Sequence, residues 1–182
     1  MKKILITGGT GFIGTNFINL ISNKNYKILN IDKISNISTP EKFKLIKNKK
    51  KYFFKRYDLS NHKKIFKILE KFKPDTIINF AAESHVDRSI NDPLYFIKNN
   101  IELSVNLFFA YVKFSKIRKS KFFQISTDEV YGSITKGYSK EMDRYDPSSP
   151  YSASKGSVDL IASAFNKTYQ TDIKIINLSN NY

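Results

Sequence analysis

At 182 residues the chain is long enough for one domain with a substantial core; it has no Cys, so neither a disulfide framework nor a thiolate metal site is available. Its two histidines, His62 and His85, argue against an imidazole metal centre, and no metal is expected. The net charge of +15 raises a nucleic-acid partner, but Arg56, Arg88, Arg118 and Arg144 are the only Arg among 31 basic residues, and the lysines are spread along amphipathic segments apart from the run at 47–51. Specific nucleic-acid binders cluster Arg and interleave it with exposed aromatics, so only a weak, salt-sensitive attraction to polyanions is expected.

The apolar run Ile4-Leu5-Ile6 stops at Thr7-Gly8-Gly9, too short for a signal-peptide core, and no stretch approaches about 18 apolar residues. The expected address is the cytoplasm, with no membrane partner. Lys3–Thr7 reads as a buried strand and Phe12–Ser22 as a helix. Tyr26–Ile31 is a second strand ending at Asp32, and Tyr52–Tyr57 a third ending at Asp58-Leu59. His62–Phe72 has helical spacing and stops before Pro74; Thr76–Ala82 is apolar on both faces, as a central parallel strand should be. A long helix is predicted over Pro93–Ser115, a strand over Lys121–Ser126, a helix over Tyr151–Tyr169 and a last strand over Ile173–Leu178. Gly132–Pro150 is expected to be the most flexible segment.

Strands alternating with helices predict an α/β, doubly wound, Rossmann-type parallel sheet of order 3-2-1-4-5-6 with helices on both faces. Ligands bind such sheets at the carboxyl ends of the strands, and every polar residue singled out below falls there or just beyond. Residues 1–182 read as one dinucleotide-binding domain that also carries the reacting side chains.

Gly8-Gly9-Thr10-Gly11-Phe12-Ile13-Gly14 lies between the first strand and first helix, where a pyrophosphate would sit. Gly8 and Gly11 let backbone approach the phosphates, and Gly14 permits close packing of helix on strand. Asp32 ends the second strand, where a carboxylate accepts bonds from ribose hydroxyls and repels a 2′-phosphate; this favours NAD over NADP, with neighbouring Lys33 pulling the other way. Asp58 and Leu59 end the third strand, where they either contact adenine or simply form a turn, and spacing alone does not choose between the two. Phe80-Ala81-Ala82-Glu83-Ser84 is small enough to let a cofactor pass close to the backbone, and Asp87 and Arg88 are expected to pair with each other and support that loop.

Tyr151 and Lys155 are one helical turn apart and share a face. The cation is expected to lower the phenol's pKa and let Tyr151 act as a base near neutral pH. Thr127-Asp128-Glu129 follows the fifth strand, and two adjacent carboxyls in a closed site can be pushed to different pKa values.

Together Thr7–Gly14, Ala81–Ser89, Ser126–Gly132, Pro147–Lys155 and Ser179–Tyr182 resemble the extended short-chain dehydrogenase/reductase family, and within it the branch that dehydrates nucleotide sugars such as dTDP-glucose. The resemblance implies NAD as cofactor, contacted also by Phe12, Ile13, Lys33, Ile34, Ser35, Asn99 and Asn181. It implies that Tyr151 takes the sugar C4 hydroxyl proton, that Lys155 holds the phenolate and the nicotinamide ribose, and that Thr127 bonds the C4 oxygen. Glu129 would remove the C5 proton, Asp128 would protonate the departing C6 hydroxyl, and Ser84 and Asn180 would touch the substrate. Asn99 departs from the family's usual Thr.

The motif run ends where the family continues into a C-terminal lobe that grips the nucleotide. The chain therefore resembles the N-terminal half of the longer architecture, and the sixth strand is expected to be an exposed edge. Family members often dimerise through two long helices, here 93–115 and 151–169; the Leu107-Phe108-Phe109 cluster fits that use or a core. A 4-epimerase or decarboxylase of the same superfamily, and a non-catalytic NAD-binding module, stay open as alternatives.

Overall fold

The computed structural model describes residues 1–34, 46 and 49–181. Ser35 and Tyr182, both named above, lie outside the described residues. Six parallel strands run in the order β3-β2-β1-β4-β5-β6: β1 (Lys2–Thr7), β2 (Tyr26–Asp32), β3 (Tyr52–Arg56), β4 (Thr76–Asn79), β5 (Lys121–Thr127) and β6 (Ile173–Leu178). The registers Thr7↔Ile31, Asp32↔Arg56, Thr7↔Asn79 and Thr127↔Leu178 bring the strands' carboxyl ends to one rim. The expected strand order is therefore the observed one, and β6 is a sheet edge.

The helices are α1 (Phe12–Ile21), α2 (His62–Phe72), α3 (Val86–Asn91), α4 (Pro93–Phe96), α5 (Leu103–Ser115) and α6 (Pro150–Tyr169). Their distribution is unequal. α2, α5 and α6 pack on one face, around Leu5, Ile77, Phe108, Phe122, Val158 and Phe165, whereas α1 packs on the other over Ile4, Ile6, Ile28 and Ile78. On the α1 side the outer strand β6 leaves Ile176 exposed. Leu107 and Phe108 are core; Phe109 is exposed, its ring meeting that of Phe165 edge-to-face at 5.1 Å.

Three predicted elements differ. β4 ends at Asn79, not Ala82, because the strand's last side chain turns inward as a hydrogen-bonding hub and residues 80–84 leave the sheet. The long helix predicted over Pro93–Ser115 is three pieces, since Ile97–Glu102 is wound as a π-helix between α4 and α5. The Asp87–Arg88 stretch is helical, and Arg88 pairs with Glu83 at 3.6 Å and not with Asp87. A side chain one residue away along a helix points elsewhere, so Asp87 cannot face Arg88 well.

Gly132–Pro150 is tied back at both ends. Asp146 N–H donates to the Val130 carbonyl at 3.0 Å, and the rings of Tyr131 and Tyr145 meet edge-to-face at 5.2 Å. α6 then starts at a capping box in which the Ser149 hydroxyl accepts from Ser152 N–H at 3.0 Å and the Ser152 hydroxyl accepts from Ser149 N–H. That cap, with Pro150 in the first turn, fixes where Tyr151 enters the helix.

Candidate active site

Under the rim lies a buried polar chain across β1, β4 and β5. The Thr7 hydroxyl donates to Asn79 Oδ1 at 2.5 Å, Asn79 Nδ2 donates to Gln124 Oε1 at 2.7 Å, and Ala81 N–H donates to Asn79 Oδ1 at 3.2 Å. Such side chains tolerate burial only when paired, so together they fix the spacing of the three strand ends.

Two cavities open on that rim and share Gly8, Gly11, Phe80 and Ala82 as a common wall. The first is lined also by Asp32, Lys33, Asp58, Leu59, Ala81, Glu83 and Asn99. The second holds Phe12, Ile13, Gly14, Ser84, Thr127, Glu129, Tyr151, Lys155, Asn180 and Asn181. The shared wall lies between β1 and β4, where the strand order reverses, the place a dinucleotide crosses such a sheet. Ile34 and Asp128 line neither cavity; Asp128 is exposed, its Oδ1 accepting from the Thr127 hydroxyl at 3.4 Å.

The first cavity has the glycine turn and the strand-end carboxylate that the adenosine end of a dinucleotide needs. Gly8 has φ +70°, and a Cβ there would collide with the backbone of Ala81, while one on Gly14 would come within 2.5 Å of the Gly8 carbonyl. Only glycine leaves this turn open. Asp32 ends β2 with Oδ2 accepting from Thr10 N–H at 2.9 Å and Oδ1 from Ile34 N–H at 3.0 Å, which fixes the carboxylate's plane and leaves acceptor capacity for two hydroxyls.

The second cavity brings the Tyr–Lys pair to the Thr127–Glu129 turn. The Thr127 hydroxyl caps the turn at Asp128–Tyr131, accepting from Glu129 N–H at 3.3 Å, and is also hydrogen-bonded to the Tyr151 phenol. The phenol itself corrects the expectation above. Burial, then the nearby Glu129 carboxylate, push the Tyr151 pKa up to about 12, against the lowering hydrogen bond from Thr127. Lys155 does not offset this because its ammonium is turned to the Ile125 carbonyl, to which it donates at 2.6 Å. Burial also pulls the Lys155 pKa down to about 8, with Asp159 opposing. Glu129 is raised as well, chiefly by burial and then by Asp128.

Two residues that sequence reasoning missed hold this arrangement. Asp159, one turn after Lys155, is buried and accepts from the Ser126 hydroxyl at 2.5 Å and the Tyr145 phenol at 3.3 Å. Spacing of four from Lys155 was the available signal. Asn100, in the π-helical segment, accepts from Glu83 N–H at 2.8 Å and donates to the Glu83 carbonyl at 3.0 Å and to Ser154 at 2.9 Å. It ties the loop after β4 to α6, and Tyr151 N–H is held likewise by the Ser89 hydroxyl at 3.1 Å. Among the described residues no cluster of His, Asp and Glu could hold a metal, and no helix is long and apolar enough to cross a membrane.

The sequence model of the GDP-mannose 4,6 dehydratase family matches residues 5–182. A probable dTDP-glucose 4,6-dehydratase of Sinorhizobium fredii is 39% identical over 187 residues, covering 99% of this chain and 53% of that protein. The crystal structure of dTDP-glucose 4,6-dehydratase from Bacillus anthracis in complex with NAD superposes with a TM-score of 0.87 at 36% identity, over 100% of this chain and 56% of that one. The corresponding enzyme of Streptomyces venezuelae, also with NAD bound, gives 0.91 at 32% identity, over 99% and 56%. The chain thus spans about half the length of the relatives it matches.

Proposed function

We propose that this chain, which belongs to the GDP-mannose 4,6-dehydratase family, carries the NAD site and the acid–base set of a dTDP-glucose 4,6-dehydratase. The observation that carries the reading is the joint wall of the two cavities. It sets a ribose-binding carboxylate, Asp32, on one side and Tyr151, Lys155, Thr127 and Glu129 on the other.

NAD bound across that wall supplies a hydride acceptor for sugar C4 and later a hydride donor for C6. Tyr151 accepts the C4 hydroxyl proton, while Thr127, already bonded to the phenol, orients the C4 oxygen. Lys155 would hold the nicotinamide ribose and, with its ammonium swung from the Ile125 carbonyl to the phenol, would stabilise the phenolate. A C4 ketone acidifies C5–H, and Glu129 removes that proton. Its raised pKa suits the task, since a carboxylate brought nearer the working pH is the stronger base when ionised. Asp128 protonates the departing C6 hydroxyl. Ser84 and Asn180 contact the sugar nucleotide, and Asn181, Asn99, Asp58 and Leu59 contact the cofactor.

Residues 1–182 act in this reading as one NAD-binding domain in the cytoplasm. A homodimer through 93–115 and 151–169 belongs to the same proposal, supported by Leu94 and Leu160, both exposed on these elements. Incubating the purified chain with NAD and dTDP-glucose tests the function: steady formation of a 4-keto-6-deoxy product supports it. A second reading, a module that binds NAD without turning over a sugar, is favoured by Asp128, which is exposed and lines neither cavity. NAD binding with no product would select it.

A further inference from the structure

Lys33 follows Asp32 directly and lines the same cavity, so an unrestrained ammonium there would meet a phosphate on the adenosine ribose. Its side chain is held elsewhere. Lys33 Nζ donates to Asn99 Oδ1 at 2.6 Å and to the Tyr95 phenol at 3.3 Å, and lies 3.5 Å from Glu83 Oε1. Tyr95 in turn donates to Glu83 Oε1 at 3.1 Å, and the ammonium sits 5.5 Å from the centre of the Tyr95 ring. Glu83 is buried, with its side chain 4% exposed; its Oε2 has no hydrogen-bond partner and only the Arg88 guanidinium, at 3.6 Å. A buried carboxylate so placed needs both cations, which anchors Lys33 firmly. Among the described residues, Arg56 also reaches this corner, its Nε donating to the Lys33 carbonyl at 3.3 Å.

We propose that Lys33 is a tethered cation: Glu83, Tyr95 and Asn99 hold it away from Asp32, so the preference for NAD over NADP is set by these residues as well as by Asp32. The proposal rests on the dinucleotide reading above. With Lys33 tied, a 2′-phosphate at the ribose meets the Asp32 carboxylate and is repelled. With Lys33 released, the same phosphate gains an ammonium partner.

Calorimetric titration of the purified chain with NAD and with NADP tests this. The unsubstituted chain is expected to bind NAD more tightly. Glu83→Gln removes the tether's charge and should narrow the NAD-to-NADP affinity ratio roughly tenfold, through tighter NADP binding. Asn99→Ala, which leaves Glu83 in place, should narrow it less. Lys33→Ala, alone or with Glu83→Gln, should keep the original ratio, because the released ammonium is what recruits the phosphate. An unchanged ratio in both Glu83→Gln and Asn99→Ala overturns the tether, as does a narrowing that survives in the double variant. Binding of neither dinucleotide by the unsubstituted chain overturns the dinucleotide site itself, and the tether with it.

Discussion

Lys155 and Asp159 stand one turn apart on α6, both buried, and hold opposite charges against the same strand: the Lys155 ammonium donates to the Ile125 carbonyl at 2.6 Å, and the Asp159 carboxylate accepts from Ser126 at 2.5 Å. Burial drags the Lys155 pKa from 10.5 to about 8, and Asp159 limits the fall. The pair keeps a cation at the base of the site where solvent cannot.

That relationship has a pH signature. The unfolded chain keeps the Lys155 proton up to about 10.5 and the folded chain releases it near 8, so the unfolded state binds more protons between these values and stability rises with pH across that window. Asp159→Asn removes the opposing charge, so the Lys155 pKa falls further. At pH 7 the variant should lose up to roughly 3 kcal/mol. Most of that loss should be recovered by about pH 10, where Lys155 is neutral in either protein. Urea unfolding at both pH values checks it; an equal loss at both would place the effect in packing and not in charge.

Glu129 and Tyr151 are coupled, because the carboxylate helps hold the phenol up at about 12. Glu129→Gln should therefore lower the Tyr151 pKa and move the rise of C4 oxidation with pH to lower pH. The same change should slow water elimination by about 10²–10⁴. Single-turnover formation of NADH, followed beside product formation, separates the two effects.

Gly8→Ala should abolish NAD binding and destabilise the fold by about 1–3 kcal/mol, since φ is +70° and the new Cβ would strike Ala81 backbone. Thermal unfolding with and without NAD reads both. Gly137→Ala is the control, because its Cβ would meet nothing within 4 Å even though its φ of +88° carries its own strain. It should leave NAD affinity unchanged.

Ser149→Ala breaks the capping box of α6 and should cost about 1 kcal/mol. Tyr151 is two residues inside that helix start, so C4 oxidation should fall more than NAD affinity does. Rescue by Ser149→Asp, another good cap, would tie the loss to helix entry.

Much of this was legible in the chain. Alternation of apolar runs and helical spacing placed all six strands, and glycine spacing with Asp32 placed the dinucleotide turn. What the periodicity could not show is where side chains turn inward. Asn79 reads as the middle of an apolar strand, yet its amide joins Thr7 to Gln124 and its Oδ1 accepts from Ala81 N–H, turning the chain at the end of β4. The π-helical segment leaves no mark in spacing, though it is what buries Asn100 against Glu83. A Lys one turn from Tyr151 in sequence predicts a lowered phenol pKa, whereas Lys155 faces Ile125 and burial dominates, so the pKa is raised. Sequence adjacency likewise pairs Arg88 with Asp87, but its partner, Glu83, lies before α3.

The most direct measurement uses dTDP-glucose deuterated at C4, incubated with the purified chain and NAD, with the position of the label read by NMR. The account predicts a 4-keto-6-deoxy product carrying deuterium at C6, because hydride removed from C4 returns there after Glu129 and Asp128 expel water. Deuterium found at C4 of an inverted sugar, with no water lost, would contradict it.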